Sequence, residues 1–350
     1  QFLDGDATYT AAVGVAGIPL PDLTILSPAG ATVSAAGGGY YTITYTLPVP
    51  SPASFVVSVR ASNTLGQEDA SWTVTRKSLP PAGTLAVAGE LFVSLDARDD
   101  TAGDDEWVNE GTLGTAGNFL KVGNPVKEDV AGITAVHFNK LGAADAYQCL
   151  LNAPDGLVGS NPTRSIEVWA FNQAIADEET LVAWGHRGGP GGTNMSFNYG
   201  LNGAYGAVGH WDAPDIGWVN TGGAPVAGRW HHLVYTYDGT TTRVYSDGTL
   251  WNSEYVGPGA INTYAGTPIV LASQIEPDGI TLTAGLRGTL ALARVRVHDG
   301  VLAEAEVLHN YFGEKDDFGL PGFANVPASD IAYAGDPTIP YQHKLIVSGT

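Results

Sequence analysis

Residues 230–238 read WHHLVYTYD, residues 243–248 read RVYSDG, and residues 285–298 read GLRGTLALARVRVH. In the first stretch Leu233, Tyr235 and Tyr237 alternate with Val234 and Thr236. This period of two places successive side chains on opposite faces of a strand. Asp238-Gly239 and Asp247-Gly248 close the first two stretches, and Asp299-Gly300 follows the third. Asp-Gly pairs beside alternating runs mark hairpin turns, because glycine accepts a positive φ. Trp230 opens its strand as a large apolar anchor, expected between two sheets.

Outward from this core, Leu91–Leu95, Ala135–Asn139, Ser165–Phe171, Thr180–Trp184 and Ile269–Ala272 alternate in the same way. One helix is expected over Ala303–Phe312, with Val307, Leu308, Tyr311 and Phe312 on one face. Antiparallel strands with a single short helix near the end indicate a two-sheet jelly roll. Further upstream, Ala7–Val15, Gly39–Leu47, Ser54–Ala61 and Ala70–Thr75 also alternate and are separated by turn signals, as in a small sandwich. Residues 76–84 (RKSLPPAGT) form the connection, because Pro80-Pro81 cannot continue a ladder. The chain is thus expected to be all-β: a small sandwich over 1–78, a linker over 79–86, a larger jelly roll over 87–318, and a further segment over 319–350.

Two resemblances follow from these motifs. The segment SFVVSVRASNTLGQEDASWTVT (54–75) resembles the last two strands of immunoglobulin-like modules of bacterial surface arrays, without the cysteine pair of antibody domains. The order WHHLVYTYD, RVYSDG, GLRGTLALARVRVH, DGVLAEAEV resembles the laminin-G-like, concanavalin A-like jelly rolls of bacterial secreted proteins, over most of residues 90–315. The second resemblance implies fold more than ligand, because the matching residues are chiefly architectural.

Composition narrows the function. A net charge of −20 argues against nucleic acid and against docking on anionic lipid. No apolar run is long enough to span a bilayer, so membrane insertion is not expected. The single cysteine, Cys149, excludes an intrachain disulfide and reads as a small buried residue. A start at Gln1 fits a processed or excerpted chain, and the whole fits an extracellular or cell-surface location.

The segment Tyr341–Gly349 (YQHKLIVSG) repeats Tyr9–Gly17 (YTAAVGVAG) at one offset, Tyr341 with Tyr9, Leu345 with Val13 and Val347 with Val15. Tyr341, His343, Leu345 and Val347 are therefore expected to form either the first strand of a repeated module or a strand donated to a neighbouring molecule. The partners this implies are copies of the chain or adjacent modules of the same array.

The chemistry is sparse. There is no G-x-S-x-G elbow, P-loop or H-E-x-x-H. Jelly-roll glycosidases need two carboxylates flanking the scissile bond, and Asp177-Glu178-Glu179, being contiguous, reads as a solvated loop instead. Asp99, Asp100, Asp104 and Asp105 are either a solvated loop or calcium ligands; they lack EF-hand spacing, while the laminin-G resemblance implies calcium at a sandwich rim. Sugar binding needs aromatic platforms beside polar groups. The candidates are His186, Arg187, Asn194, Trp211, Asp212 and Trp218, with the two tryptophans flanking the turn DAPDIG (212–217). The expected function is that of a non-catalytic structural or adhesive subunit of a bacterial surface array or filament, assembled through terminal strands. The alternatives are a lectin-like module for cell-surface or matrix polysaccharide, and a divergent glycoside hydrolase.

Overall fold

The computed structural model describes residues 2–3, 8–14, 20–37, 40–49, 52–77, 84–139, 145–212, 214–219, 223–283, 286, 288–320 and 344–345. The chain divides into two compact units, Gln1–Leu79 with Phe323–Thr350, and Pro80–Gly322.

The first unit holds strands β1 (Phe2–Leu3), β2 (Thr8–Gly14), β3 (Asp22–Ser27), β4 (Thr32–Gly37), β5 (Tyr40–Thr46), β6 (Ser54–Asn63) and β7 (Gly66–Lys77). They form two sheets, β1-β7-β6-β3 and one in which β2 and β4 flank β5. The core takes Tyr9, Val13, Ile43 and Leu47 from one sheet, and Leu23, Val57, Val59 and Val74 from the other. Burial of one face per strand is what the alternation predicts. Trp72 Nε1 donates to the Tyr9 hydroxyl at 3.2 Å, tying the layers together. Arg76 and Lys77, expected in the linker, extend β7 because β1 adds alongside them in parallel. A two-residue strand at Lys344–Leu345 pairs in parallel with β2, Ala12 opposite Lys344 and Val13 opposite Leu345. Tyr341, His343 and Val347 lie outside the described residues.

The second unit continues with β8 (Leu91–Asp96), β9 (Glu106–Trp107), β10 (Phe119–Val122), β11 (Val126–Val130), β12 (Ile133–His137), β13 (Ala146–Asn152), β14 (Gly159–Ser160), β15 (Arg164–Asn172), β16 (Thr180–Gly185) and β17 (Asn194–Asn198). After these come β18 (Val208–Gly209), β19 (Trp230–Tyr237), β20 (Thr241–Ser246), β21 (Thr249–Tyr255), β22 (Asn262–Thr263), β23 (Pro268–Leu271), β24 (Leu290–His298) and helix α1 (Glu304–Glu314). One sheet runs β18-β17-β16-β23-β13-β10-β9; the other runs β11-β12-β24-β15-β19-β20-β21, with β8 also on β24. Between them lies one large apolar core containing Trp107, Trp184, Trp218, Phe119 and Tyr235. Cys149 belongs to this core and carries a free thiol.

The central strands of the second sheet, β15, β19 and β24, are buried on both faces, and this departs from simple alternation. Ile166, Val168 and Leu233 face the inter-sheet core, while Trp169, Phe171 and Trp230 pack on the opposite face with Tyr311 of α1 and Phe318. Trp230 therefore lies on the helix side of its sheet, because its place in β19 has the parity of His232 and not of Leu233. The Trp169 and Phe318 rings stack at 3.8 Å with planes 2° apart. Leu308 and Phe312, expected on the buried helix face, are exposed, and Asn310 is buried in their stead.

Under α1 a polar cluster replaces apolar packing. Glu167 accepts hydrogen bonds from His232 Nε2 at 3.2 Å, His298 Nε2 at 3.0 Å and Asn310 Nδ2 at 2.9 Å. Asn310 also donates to Ala86 O and accepts from Ala86 N, tying the start of the unit to its helix. Burial opposes the charge on Glu167. The hydrogen bonds from both histidines and the Arg296 charge outweigh it, and its carboxyl is held well below the usual carboxylate range.

Candidate functional site

The edge formed by β16, β17 and β18 carries the polar outer face of the first sheet. Met195 and Phe197 of β17 point into the core, so Asn194, Ser196 and Asn198 face outward. A continuous hydrogen-bond chain crosses these strands. Asn198 Nδ2 donates to Tyr205 O and Ser196 Oγ, and Ser196 Oγ donates to Gly209 O. Asn194 Nδ2 donates to Gly209 O and to Gln274 Oε1, and Gln274 Nε2 donates to Glu178 Oε1 at 2.8 Å. These carbonyl acceptors set the orientation of both asparagine amides. Asn194 Oδ1 and Asn198 Oδ1 are left buried without a partner.

Above this chain lies a rim of charged and aromatic groups. Trp211 is half-buried, and the Arg187 guanidinium sits 5.3 Å from its ring centroid. Trp211 and Asp212 both adopt the left-handed region, φ 70° and 66°. Such a conformation costs about 1–3 kcal/mol for a non-glycine residue and concentrates at functional sites. Gly189 leans against the indole: a Cβ there would lie 3.0 Å from Trp211 Nε1, and its own φ is +72°. Glycine at 189 thus lets the loop after β16 close on the tryptophan.

Two half-buried carboxylates stand beside this rim. Burial pushes Glu178 up, against its hydrogen bond from Gln274 and the Arg187 charge. Burial, together with the charges of Glu178 and Asp212, pushes Asp215 up to about 6, although the His210 N–H donates to it at 2.5 Å. Deeper in the core, burial and the nearby Arg164 charge lower His210 to about 3, leaving it neutral. Its Nδ1 donates to Pro214 O at 2.7 Å, so Nε2 accepts from the Tyr235 hydroxyl at 3.1 Å, which fastens the Trp211 loop to the core.

The candidate sugar residues separate into those at the rim and those beneath it. Trp211, Asp212 and Arg187 come together at the rim, with Asn194 in the layer below. His186 is buried beside Arg187, where its Nδ1 donates to Arg187 O at 3.0 Å. Trp218 does not belong to the rim. It is fully buried against Phe197 and Trp251, because the chain after DAPDIG turns back into the inter-sheet core. The reading of Asp177-Glu178-Glu179 as solvated is also corrected. Only Asp177 is exposed; Glu179 is buried and accepts from Asn172 Nδ2 and the Thr289 N–H and hydroxyl, while Glu178 joins the rim. Glu178, met in the sequence within the run 177–179, and Asp215, within the turn 212–217, were not brought together by sequence reading, because 37 positions separate them and neither lies on an alternating strand.

The four aspartates of the acidic loop lie elsewhere. Asp99 accepts from the Thr101 N–H and hydroxyl, both at 2.8 Å, and Asp100, Asp104 and Asp105 are exposed. Among the described residues no group of three His, Cys, Asp or Glu side chains is arranged to hold a metal ion.

Residues 145–308 match the family model described as the concanavalin A-like lectin/glucanases superfamily, a span running from β13 into α1. The second unit is thus a concanavalin A-like jelly roll. No curated protein matches the chain. Among solved structures it is similar to domain 4 of AbnA, a GH43 extracellular arabinanase from Geobacillus stearothermophilus, in complex with arabinotriose, at 18% identity and TM-score 0.38, over 64% of this chain and 99% of that one. It is also similar to Trypanosoma rangeli sialidase in complex with sialic acid, at 12% identity and TM-score 0.42, over 75% of this chain and 43% of that one. A third is the binding domain of botulinum neurotoxin DC in complex with rat synaptotagmin II, at 9% identity and TM-score 0.40, over 64% of this chain and 51% of that one.

Proposed function

We propose that the second unit is a non-catalytic carbohydrate-binding module of an extracellular protein, holding sugar against Trp211 at the β17–β18 edge. The observation that carries this reading is the indole itself, half-buried on a strained loop and braced by Arg187. Sugar C–H faces stack on such rings, and a few convergent polar groups then orient the hydroxyls. Arg187, Asp212, Glu178 and Asp215 are in place to do so. Hydrolysis would need one carboxyl as acid and a second across the scissile bond. Glu178 accepts from Gln274 Nε2 and Asp215 from the His210 N–H, which fixes each carboxyl in place for further hydrogen bonds to sugar hydroxyls.

A glycan panel tests this. Trp211→Ala is expected to lower affinity at least about tenfold, with the melting temperature preserved. Wild-type protein that binds no glycan overturns the reading. Release of reducing sugar, abolished by Glu178→Gln, replaces it with a hydrolase.

A second reading, a surface array joined by strands with the first unit as an immunoglobulin-like spacer, is favoured by one observation. Lys344–Leu345 pairs with Ala12-Val13 at the same offset as the sequence repeat, so Leu345 stands abreast of its counterpart Val13. An adhesive array displaying sugar-binding units satisfies both readings.

A further inference from the structure

We infer a second aromatic subsite at Tyr264, so that the rim takes a chain of neutral sugars and not a single ring; this rests on the Trp211 reading. Tyr264 is 49% exposed, and its ring centroid lies 4.1 Å from that of the buried His186. His186 and Arg187 are consecutive, and each braces one rim aromatic, His186 under Tyr264 and Arg187 over Trp211.

Backbone hydrogen bonds bring the two residues to neighbouring segments of one edge. Gly192 N donates to Trp211 O at 3.2 Å, while Asn262 N donates to Gly192 O at 3.0 Å and Tyr264 N donates to Thr193 O at 2.9 Å. The segment 192–193 is therefore flanked by Trp211 on one side and by residues 262–264 on the other. Two such spacings put the Trp211 and Tyr264 backbones roughly 10 Å apart, more than one sugar ring spans. A single ring reaches one platform; a chain reaches both.

Charge selects the kind of chain. Glu178, Asp212 and Asp215 stand beside Trp211, and the one cation among them, Arg187, is engaged with the indole and close enough to Glu178 to oppose, without cancelling, the rise that burial gives its carboxyl. Anionic glycans meet like charge here, whereas hydroxyls find acceptors.

The test is a titration of neutral oligosaccharides of one to six sugars (arabino-, xylo-, manno- and cello-series) against wild type, Tyr264→Ala, Tyr264→Phe and Trp211→Ala, with uronic-acid oligomers alongside. Wild type is expected to gain about five- to tenfold in affinity from the shortest to the longer ligands. Tyr264→Ala loses that gain while keeping its affinity for short ligands, and Tyr264→Phe retains the gain. If Tyr264→Ala equals wild type at every length while Trp211→Ala is inactive, the second subsite is overturned and the first stands. If wild type binds no glycan, both fall. Preference for the uronic-acid oligomers overturns the neutral-chain assignment. Should Tyr264→Ala disturb folding, ring-proton shifts of Tyr264 in wild type decide: shifts with long ligands alone support the subsite, and none with any ligand overturns it.

Discussion

Asp215 is a carboxyl that folding makes harder to ionise, since burial and the neighbouring charges of Glu178 and Asp212 raise it to about 6 from 3.8. The native chain therefore binds more protons than the unfolded chain between about pH 4 and pH 6, and the stability contributed at this position falls as pH rises through that window. Asp215→Asn keeps an oxygen for the His210 N–H and removes the charge. It is expected to stabilise the protein by about 1 kcal/mol at pH 7.5, or about 2–4 °C in melting temperature, and by nothing near pH 4. Thermal melts at the two pH values check this; equal shifts at both would show that the gain is not electrostatic. Trp211 and Asp212 show the same pattern of local cost at one place, in backbone and not in charge. Nothing in the composition of DAPDIG distinguishes the half-buried Trp211 from the fully buried Trp218, since each is a tryptophan beside a turn.

Helix α1 and the strands beneath it depend on one another through polar groups. Strands β15 and β24 are buried at all nine positions each, including Glu167, Arg294, Arg296 and His298. Polar residues at alternate positions ordinarily face water, and here α1 covers them. The guanidinium of Arg296 pairs with Glu314 of the helix, which also accepts from Trp169 Nε1 at 2.7 Å. Glu167→Ala leaves His232, His298 and Asn310 without their shared acceptor. It is expected to cost about 3–5 kcal/mol, measured as a lower urea midpoint. Because the Glu167 carboxyl is depressed on folding, its contribution is present above about pH 4.5 and is lost as pH falls through the folded value. The strands themselves were legible: β19 and β24 run over Trp230–Tyr237 and Leu290–His298, as their alternation indicates. The helix also was, within two residues at its end. Which face of β19 Trp230 occupies was not, because parity says that two faces differ and not which one meets the second sheet.

Over the whole chain, each unit has its own core, and the pairing of Lys344–Leu345 with β2 bears on association. If that segment can also serve a second copy, wild type should sediment as a concentration-dependent mixture, and a chain ending at residue 340 should sediment as monomer. Identical monomeric behaviour of the two would remove the strand-joined reading while leaving the sugar-binding one untouched.

Alternation, Asp-Gly turns and the one amphipathic segment lie within a few residues of each other along the chain. They were enough to establish an all-β chain with a two-sheet jelly roll, since strand and turn formation obey short-range sterics and burial of one face. The rim is different in kind. Glu178, Arg187, Trp211, Asp215 and Tyr264 come from four separate connections, Trp211 and Asp215 sharing the one after β18, and only the register of β16, β17 and β18 together with the hydrogen bonds flanking residues 192–193 brings them together. Their burial, their raised or balanced charges and the bracing of each aromatic are properties of neighbours distant in sequence, so the tertiary fold alone decides them.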